Sequence, residues 1–447
     1  MKKILSIFTI LIILLATSCV GRSGPSGIDD RFVKTITVLK EESVFEFFQG
    51  EFDPSLIKIH VEKANEKQED INVTTEMIKT DLTKLVIGQN TIMCEYLLDA
   101  NNSTEPYKFY FTITIKEKDD LRFTYRADQL NINYYVDGYV GSDEVVTLPK
   151  TYNGKPVVGI LDSAFLNNKT LKIVNIPEGY TTIEAAAFYQ CTNLVSVYVP
   201  STVKSIGDYA LNGIRTIFLG STINPNWSSK WFDEKVSYVY ENINLENLTV
   251  ENDFQYLLNN NSYVLANYIG NSSKVELPEE YNGLVVNTLG AYAFGFNKTI
   301  EEVNFSSSYI HIMNNAFNNC ENLTSISLST NITTIDDSAF CYCSSLNFLD
   351  LPTSLTTIGY GVFNMCTNLT VLTIPESVTS IGAYAFAWCT GLKELYIYNT
   401  LVNFGQGAIY SCSKLTVYTE YESIPNTWNE GFNPSNRPIV WGYEIAK

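Results

Sequence analysis

Only two histidines, His60 and His311, occur among the 447 residues, and they stand far apart in the chain. Arrangements that need two or more histidines on one site, many zinc centres among them, are set aside on that count. Nine cysteines are present. Cys341 and Cys343 have ligand-like spacing, but no second pair supplies the other two ligands of a tetrahedral metal site. Carboxylates leave one chemistry to consider, glycoside hydrolysis, which needs two acids at a fixed separation across the scissile bond. The candidates are Glu302, Asp350 and Glu394, each at an outward-facing strand position. Acids two strands apart sit roughly 10 Å apart, the far edge of the inverting spacing. They are also solvated on an open sheet, whereas a general acid needs burial to raise its pKa. Asp137, Asp143 and Glu144 lack the regular oxygen-ligand pattern of a calcium loop. The expectation is no catalytic residue, no metal and no cofactor.

The elements that carry these residues belong to a folded, acidic chain. Lys plus Arg is 30 against 48 for Asp plus Glu, a formal charge of −18, and no basic run interrupts the balance. A nucleic-acid partner is therefore not expected. Charged residues reach only 17% and hydrophobic ones 45%, a composition that builds cores rather than disordered tails.

Met1-Lys2-Lys3 is positive, and Ile4 to Leu15 is apolar apart from Ser6 and Thr9. This reads as a signal peptide over 1–18, since a membrane-spanning helix needs about 20 apolar residues. Leu15-Ala16-Thr17-Ser18-Cys19 resembles the lipobox of bacterial lipoproteins, with Ala16 departing from the usual Leu. The resemblance implies lipidation of Cys19 and a membrane anchor; an ordinary secretory signal is the alternative. Residues 19–30, rich in Gly and Ser, form a tether.

Over 31–118 the pattern alternates at period two. Ile57, Ile59 and Val61 face one way, Lys58, His60 and Glu62 the other. A β-sandwich fits this segment. The stretch from Asp81 to Thr91, closing on Phe109 to Ile115, resembles bacterial immunoglobulin-like domains, although Cys94 has no partner for an inter-sheet disulfide.

The remainder repeats every 23 residues. Anchors fall at Phe165, Phe188 and Leu211, then at Phe294, Phe317, Phe340, Phe363, Phe386 and Ile409. Alanine precedes each anchor except Phe363, where Val362 stands, and a small side chain there lets coils approach. Cysteines recur three residues after six anchors, as small buried hydrophobes. One coil cannot bury its apolar face alone, so successive coils must stack. A strand such as Leu346 to Leu351 follows each anchor.

Ile374-Pro375-Glu376-Ser377-Val378-Thr379-Ser380-Ile381-Gly382, leading into Ala385-Phe386 and Cys389-Thr390, is similar to the BspA-like leucine-rich repeat family of bacterial surface proteins. The resemblance implies an exported solenoid with one strand per coil, in a family associated with attachment to host proteins or other cells. The expected fold is mainly β: an immunoglobulin-like sandwich, then a solenoid in two stacks. The first stack is 119–241, three coils and a cap; the second is 254–447, six coils and a cap. An acidic, Asn-rich linker over 242–253 joins them, and each stack is expected to fold alone.

Strand residues that alternate with core leucines face solvent. Among them Tyr198 and Phe218 cluster in the first stack, and Phe348, Val371 and Tyr396 in the second. These five are the candidate binding face. The sequence points to a lipid-anchored protein on the outside of the cell envelope that binds a host or neighbouring-cell protein. A carbohydrate or envelope-polymer ligand, or a spacer role, are the alternatives.

Overall fold

The computed structural model describes residues 33–39, 43, 45–48, 52–63, 67–85, 88–97, 106–116, 122–398 and 402–444. The expected signal peptide, Cys19 and the tether lie outside the described residues. The chain divides into two compact units, 1–118 and 119–447.

In the first unit two three-stranded sheets share one core. Lys58–Lys63 pairs antiparallel with both Val33–Val38 and Gln68–Asn72. Gly88–Tyr96 pairs antiparallel with Tyr107–Lys116, which Glu46–Phe48 joins in parallel. The alternation seen in the sequence sends Ile57, Ile59 and Val61 into a cluster with Ile92, Cys94, Phe111 and Ile113. Tyr96 OH donates to Glu69 Oε1 at 2.7 Å, tying the two sheets together. That bond, more than any other influence, holds the Glu69 carboxyl below its ordinary pKa. His60 faces outward, with Nδ1 at 2.5 Å from Asp70 Oδ1 on the neighbouring strand.

The second unit is a solenoid whose coils lay down an inner strand, an anchor turn and, in all but one coil, an outer strand. In the first stack the outer strands Val145–Thr147, Ile173–Asn175, Ser196–Val199, Thr216–Leu219 and Tyr238–Tyr240 form one parallel sheet. The inner strands Thr182–Ile183 and Ser205–Ile206 continue a second ladder begun by the hairpin of Phe123–Ala127 and Tyr134–Tyr139. The second stack repeats this plan.

Between the ladders run the anchors. Phe294, Phe317, Phe340, Phe363 and Phe386 stack face to face, ring centroids 5.1 to 5.7 Å apart and all fully buried. Except for Leu211 and Ile409, the last of each stack, which donate to the cap carbonyls of Trp231 and Phe432, each anchor N–H donates to the carbonyl of the residue before the next anchor, as Phe317 does to Ala339 at 2.7 Å and Phe340 to Val362 at 2.9 Å. A small side chain at that residue leaves room for this approach. The cysteine column points inward, and each thiol donates to the anchor carbonyl of the preceding coil, as Cys343 does to Phe317 O at 3.2 Å. Every coil turns through left-handed residues two positions before and two after its anchor.

Two expectations differ from the structure. The segment 346–351 is not a strand. It keeps the burial pattern, with Leu346 and Leu349 inside and Phe348 outside, but makes no ladder bonds. The outer ladder of the second stack is thus split into Lys274–Glu276, Glu302–Asn304, Ser325–Ser327 on one side and Val371–Ile374, Glu394–Ile397, Thr416–Thr419, Ile439–Val440 on the other. In this outer segment leucine packing takes the place of ladder bonds, while the anchor turn and the inner strand Thr334–Ile335 keep the coil bonded to its neighbours. The segment 242–253 is not a free linker either. It contains a 3-10 turn, Leu245–Asn247, capped by the Asn244 side chain, and a strand, Leu248–Glu251, paired antiparallel with Phe254–Asn259. Ile243, Leu245 and Leu248 pack against a cluster that contains Tyr198 and Phe218.

Candidate binding face

In the first stack the outward strand positions are sealed. Ser196, Thr216 and Phe218 are 0% exposed and Tyr198 is 4%. They lie beneath the hairpin that opens the second stack, Phe254–Asn259 and Ser262–Tyr268. That hairpin is apolar on both sides. Phe254, Tyr256, Tyr263 and Leu265 enter the second core, while Leu257, Val264 and Ala266 pack on Tyr198 and Phe218. Polar groups are matched within the contact. Ser196 Oγ donates to Gln255 Oε1 at 2.8 Å, Thr216 Oγ1 to Asn267 Oδ1 at 2.9 Å, and Asn267 Nδ2 to Gln255 Oε1 at 2.9 Å.

Further bonds join the stacks. Arg215 Nη1 donates to the Gly295 carbonyl, and burial pushes its guanidinium down to about 10. Tyr292 OH donates to Lys235 O at 3.1 Å, and Tyr240 OH accepts from Ala291 N at 3.1 Å. Tyr198 and Phe218, expected on an open binding face, are therefore interior residues. The reason is physical: the second hairpin must bury its own outer apolar side, and the first sheet face covers it.

One sequence signal distinguishes the hairpins. The opening hairpin of the first stack carries Arg126 and Asp137 on its outer side, with Arg126 Nη2 at 2.8 Å from Asp137 Oδ1. The second carries Leu257 and Ala266 at the equivalent positions.

The strand face of the second stack is open. Phe348 is 59% exposed and Val371 38%, in adjacent coils. Tyr396 is half-buried, stacked on Tyr418 at 4.9 Å, and Tyr443 meets Tyr418 at 4.9 Å. Tyr396 OH donates to Glu394 Oε2 at 3.0 Å; burial first, then this bond, push its phenol up to about 12. Sequence reasoning named Tyr396 and missed Tyr418 and Tyr443, which the parallel register and the cap bring beside it.

The other end of this face is polar. Lys274 Nζ lies 2.8 Å from Glu302 Oε2, and Asn304 Nδ2 donates to Glu276 Oε1 at 2.7 Å. The Lys274 bond holds the Glu302 carboxyl below its ordinary pKa, the reverse of what a general acid requires. His311 Nε2 sits 2.8 Å from Asp336 Oδ2 on the next coil.

Coils of 23 residues, with parallel ladders on either side of a buried phenylalanine stack, define a leucine-rich repeat solenoid. The BspA type leucine rich repeat region matches residues 158–280, 227–324, 287–416 and 361–435, together more than half of the chain, and the chain belongs to that family. Among solved structures, the leucine rich repeat protein TpLRR of T. pallidum is 29% identical, over 38% of this chain and 80% of its own, with a TM-score of 0.34. A leucine rich cell surface protein of Faecalibacterium prausnitzii is 23% identical, over 63% and 94%, with a TM-score of 0.34. The pneumococcal vaccine antigen PcpA is 18% identical, over 73% and 98%, with a TM-score of 0.42. No curated protein matches the chain.

Proposed function

We propose that this is a surface-displayed binding protein, anchored through lipidated Cys19, that captures an extracellular protein on the open strand face of its second stack. The first unit serves as an immunoglobulin-like spacer, and no catalysis is involved. One observation carries the reading: Tyr396, Tyr418 and Tyr443 form a ring cluster on the same open face as exposed Phe348 and Val371. Exposed apolar clusters rimmed by polar groups mark interaction sites. The first stack supplies an internal precedent, because its equivalent face holds an apolar hairpin together with matched hydroxyl and amide groups. A protein segment of that character suits the second face.

The test is a screen of residues 19–447 against extracellular-matrix proteins, followed by variants on the bound partner. Phe348→Ala and Tyr396→Ala are expected to weaken binding by about 1 kcal/mol or more. Ser325→Ala, at the polar end, leaves it unchanged. Absence of any partner, or equal binding by all three variants, counts against the reading. Cys19→Ser is expected to move the full-length protein from the detergent to the aqueous phase; unchanged partitioning contradicts the anchor.

A further inference from the structure

A second aromatic group lies on the anchor turns of the second stack, between the inner and outer strands of its coils rather than on the strand face. Tyr342, Tyr360 and Trp388 are 44%, 50% and 37% exposed. With Met365, Ser338 and Asn364 they line a cavity of about 230 Å³. The strip continues beyond it. Tyr384 meets Tyr360 edge to face at 5.8 Å, and Tyr410 meets Trp388 at 5.0 Å.

Backbone conformation sets these side chains apart. Tyr342, Met365 and Trp388 occupy the left-handed position two residues after three successive anchors, with φ of 60°, 64° and 56°. Asn167, Gly213 and Asn319 fill the same position in three other coils, and Gln190, Phe296 and Ser411 in the remaining three. Asn and Gly reach left-handed geometry at least cost, whereas a bulky side chain is strained there. Tyr342 and Trp388 offset only part of that cost through burial, since both stay more than a third exposed. Aromatic residues held in strain on a surface are not explained by stability, and such outliers collect at ligand sites.

The lining defines the ligand chemistry. No charged side chain lines the cavity, although the chain carries a net charge of −18. The site therefore suits an uncharged molecule. The Ser338, Tyr342 and Tyr360 hydroxyls and the Asn364 amide both donate and accept, and none has a side-chain hydrogen bond among the described residues. Sugar rings match both features: their hydroxyls donate and accept, and their C–H faces lie against the electron-rich face of an aromatic ring. A proline-rich peptide also docks on aromatic grooves, but its prolines offer acceptors alone. We propose that this cavity binds the hexose units of a neutral glycan, independently of the protein-binding face.

The experiment titrates the full chain with three neutral polysaccharides, a mannan, a galactan and a β-glucan. Polygalacturonate and decaproline serve as charged and peptide competitors in class. At least one neutral polysaccharide is expected to bind. Tyr342→Asn and Trp388→Asn are each expected to weaken that binding about tenfold, with the melting temperature unchanged or raised. Phe348→Ala should leave it intact, which separates this site from the strand face. The proposal is overturned if no neutral polysaccharide binds, if polygalacturonate or decaproline binds more tightly, or if the asparagine variants bind equally well. A lowered melting temperature in both asparagine variants also overturns it, because the rings would then serve stability.

Discussion

The Ser196 hydroxyl donates to Gln255 Oε1 at 2.8 Å across 59 positions of sequence, with both side chains sealed from water. Ser196 belongs to the strand face of the first stack and Gln255 to the hairpin that opens the second. Through Asn267 the network closes on Thr216, so these buried hydroxyl and amide groups are matched to one another. Matched buried networks fix one register between surfaces and make any loss of a member costly. The two stacks are therefore one cooperative body, not two beads on a linker.

All five tryptophans, at 227, 231, 388, 428 and 441, lie in the solenoid and sample both stacks. Tryptophan fluorescence in urea is expected to report one transition, and two resolved transitions would contradict a shared body. Gln255→Ala strands the Ser196 hydroxyl and an Asn267 donor, at about 1 to 3 kcal/mol for each unpaired group. The single midpoint should fall while remaining single.

Two phenylalanines eight positions apart make a matched pair. Phe340 stacks on Phe317 at 5.1 Å and on Phe363 at 5.5 Å, fully buried, whereas Phe348 is 59% exposed. Phe340→Ala is expected to cost about 3 to 5 kcal/mol. Phe348→Ala should stay within about 0.5 kcal/mol. Phe340→Leu costs less than the alanine change, since Leu211 already serves as an anchor. Urea midpoints of the three variants check the order.

The cysteine column makes a pH prediction. Burial pushes the Cys191 thiol up to about 11 and those of Cys320 and Cys412 up to about 12, from an ordinary 9.0. Below about pH 9 folded and unfolded chains both keep these protons, so the thiols do not affect stability. From about pH 9 up to about pH 11 for Cys191, and up to about pH 12 for Cys320 and Cys412, the unfolded chain releases them and the folded chain does not. Stability should therefore fall through those ranges, by up to about 1.4 kcal/mol per pH unit for each such thiol. Denaturation midpoints should be level across neutral pH and drop near pH 10. Iodoacetamide should label the column only after denaturant is added.

Much of this fold is legible in the residues. The 23-residue spacing of the anchors, the alanine before them and the cysteine after them each follow from a coil that must stack on its copy, and these positions are buried as expected apart from the half-buried Ala164 of the first coil. The alternation of Ile57, Ile59 and Val61 locates a half-buried strand for the same reason. What periodicity does not carry is the long-range partner of a face. Tyr198 and Phe218 have the pattern of outward residues, and nothing within their own repeats shows that Leu257, Val264 and Ala266 cover them. The signal lay elsewhere, in a hairpin that carries Leu257 and Ala266 on its outer side where its counterpart carries Arg126 and Asp137. Likewise the Leu346 to Leu351 spacing places its leucines inside but does not decide whether the backbone pairs.

The most direct test of a sealed first face beside an open second one is hydroxyl-radical footprinting of the full chain, read residue by residue by mass spectrometry. Phe348 and Tyr396 are expected to oxidise in the native protein, while Tyr198 and Phe218 stay unmodified until denaturant is added. Oxidation of Tyr198 and Phe218 in the native protein as fast as Phe348 would contradict the account.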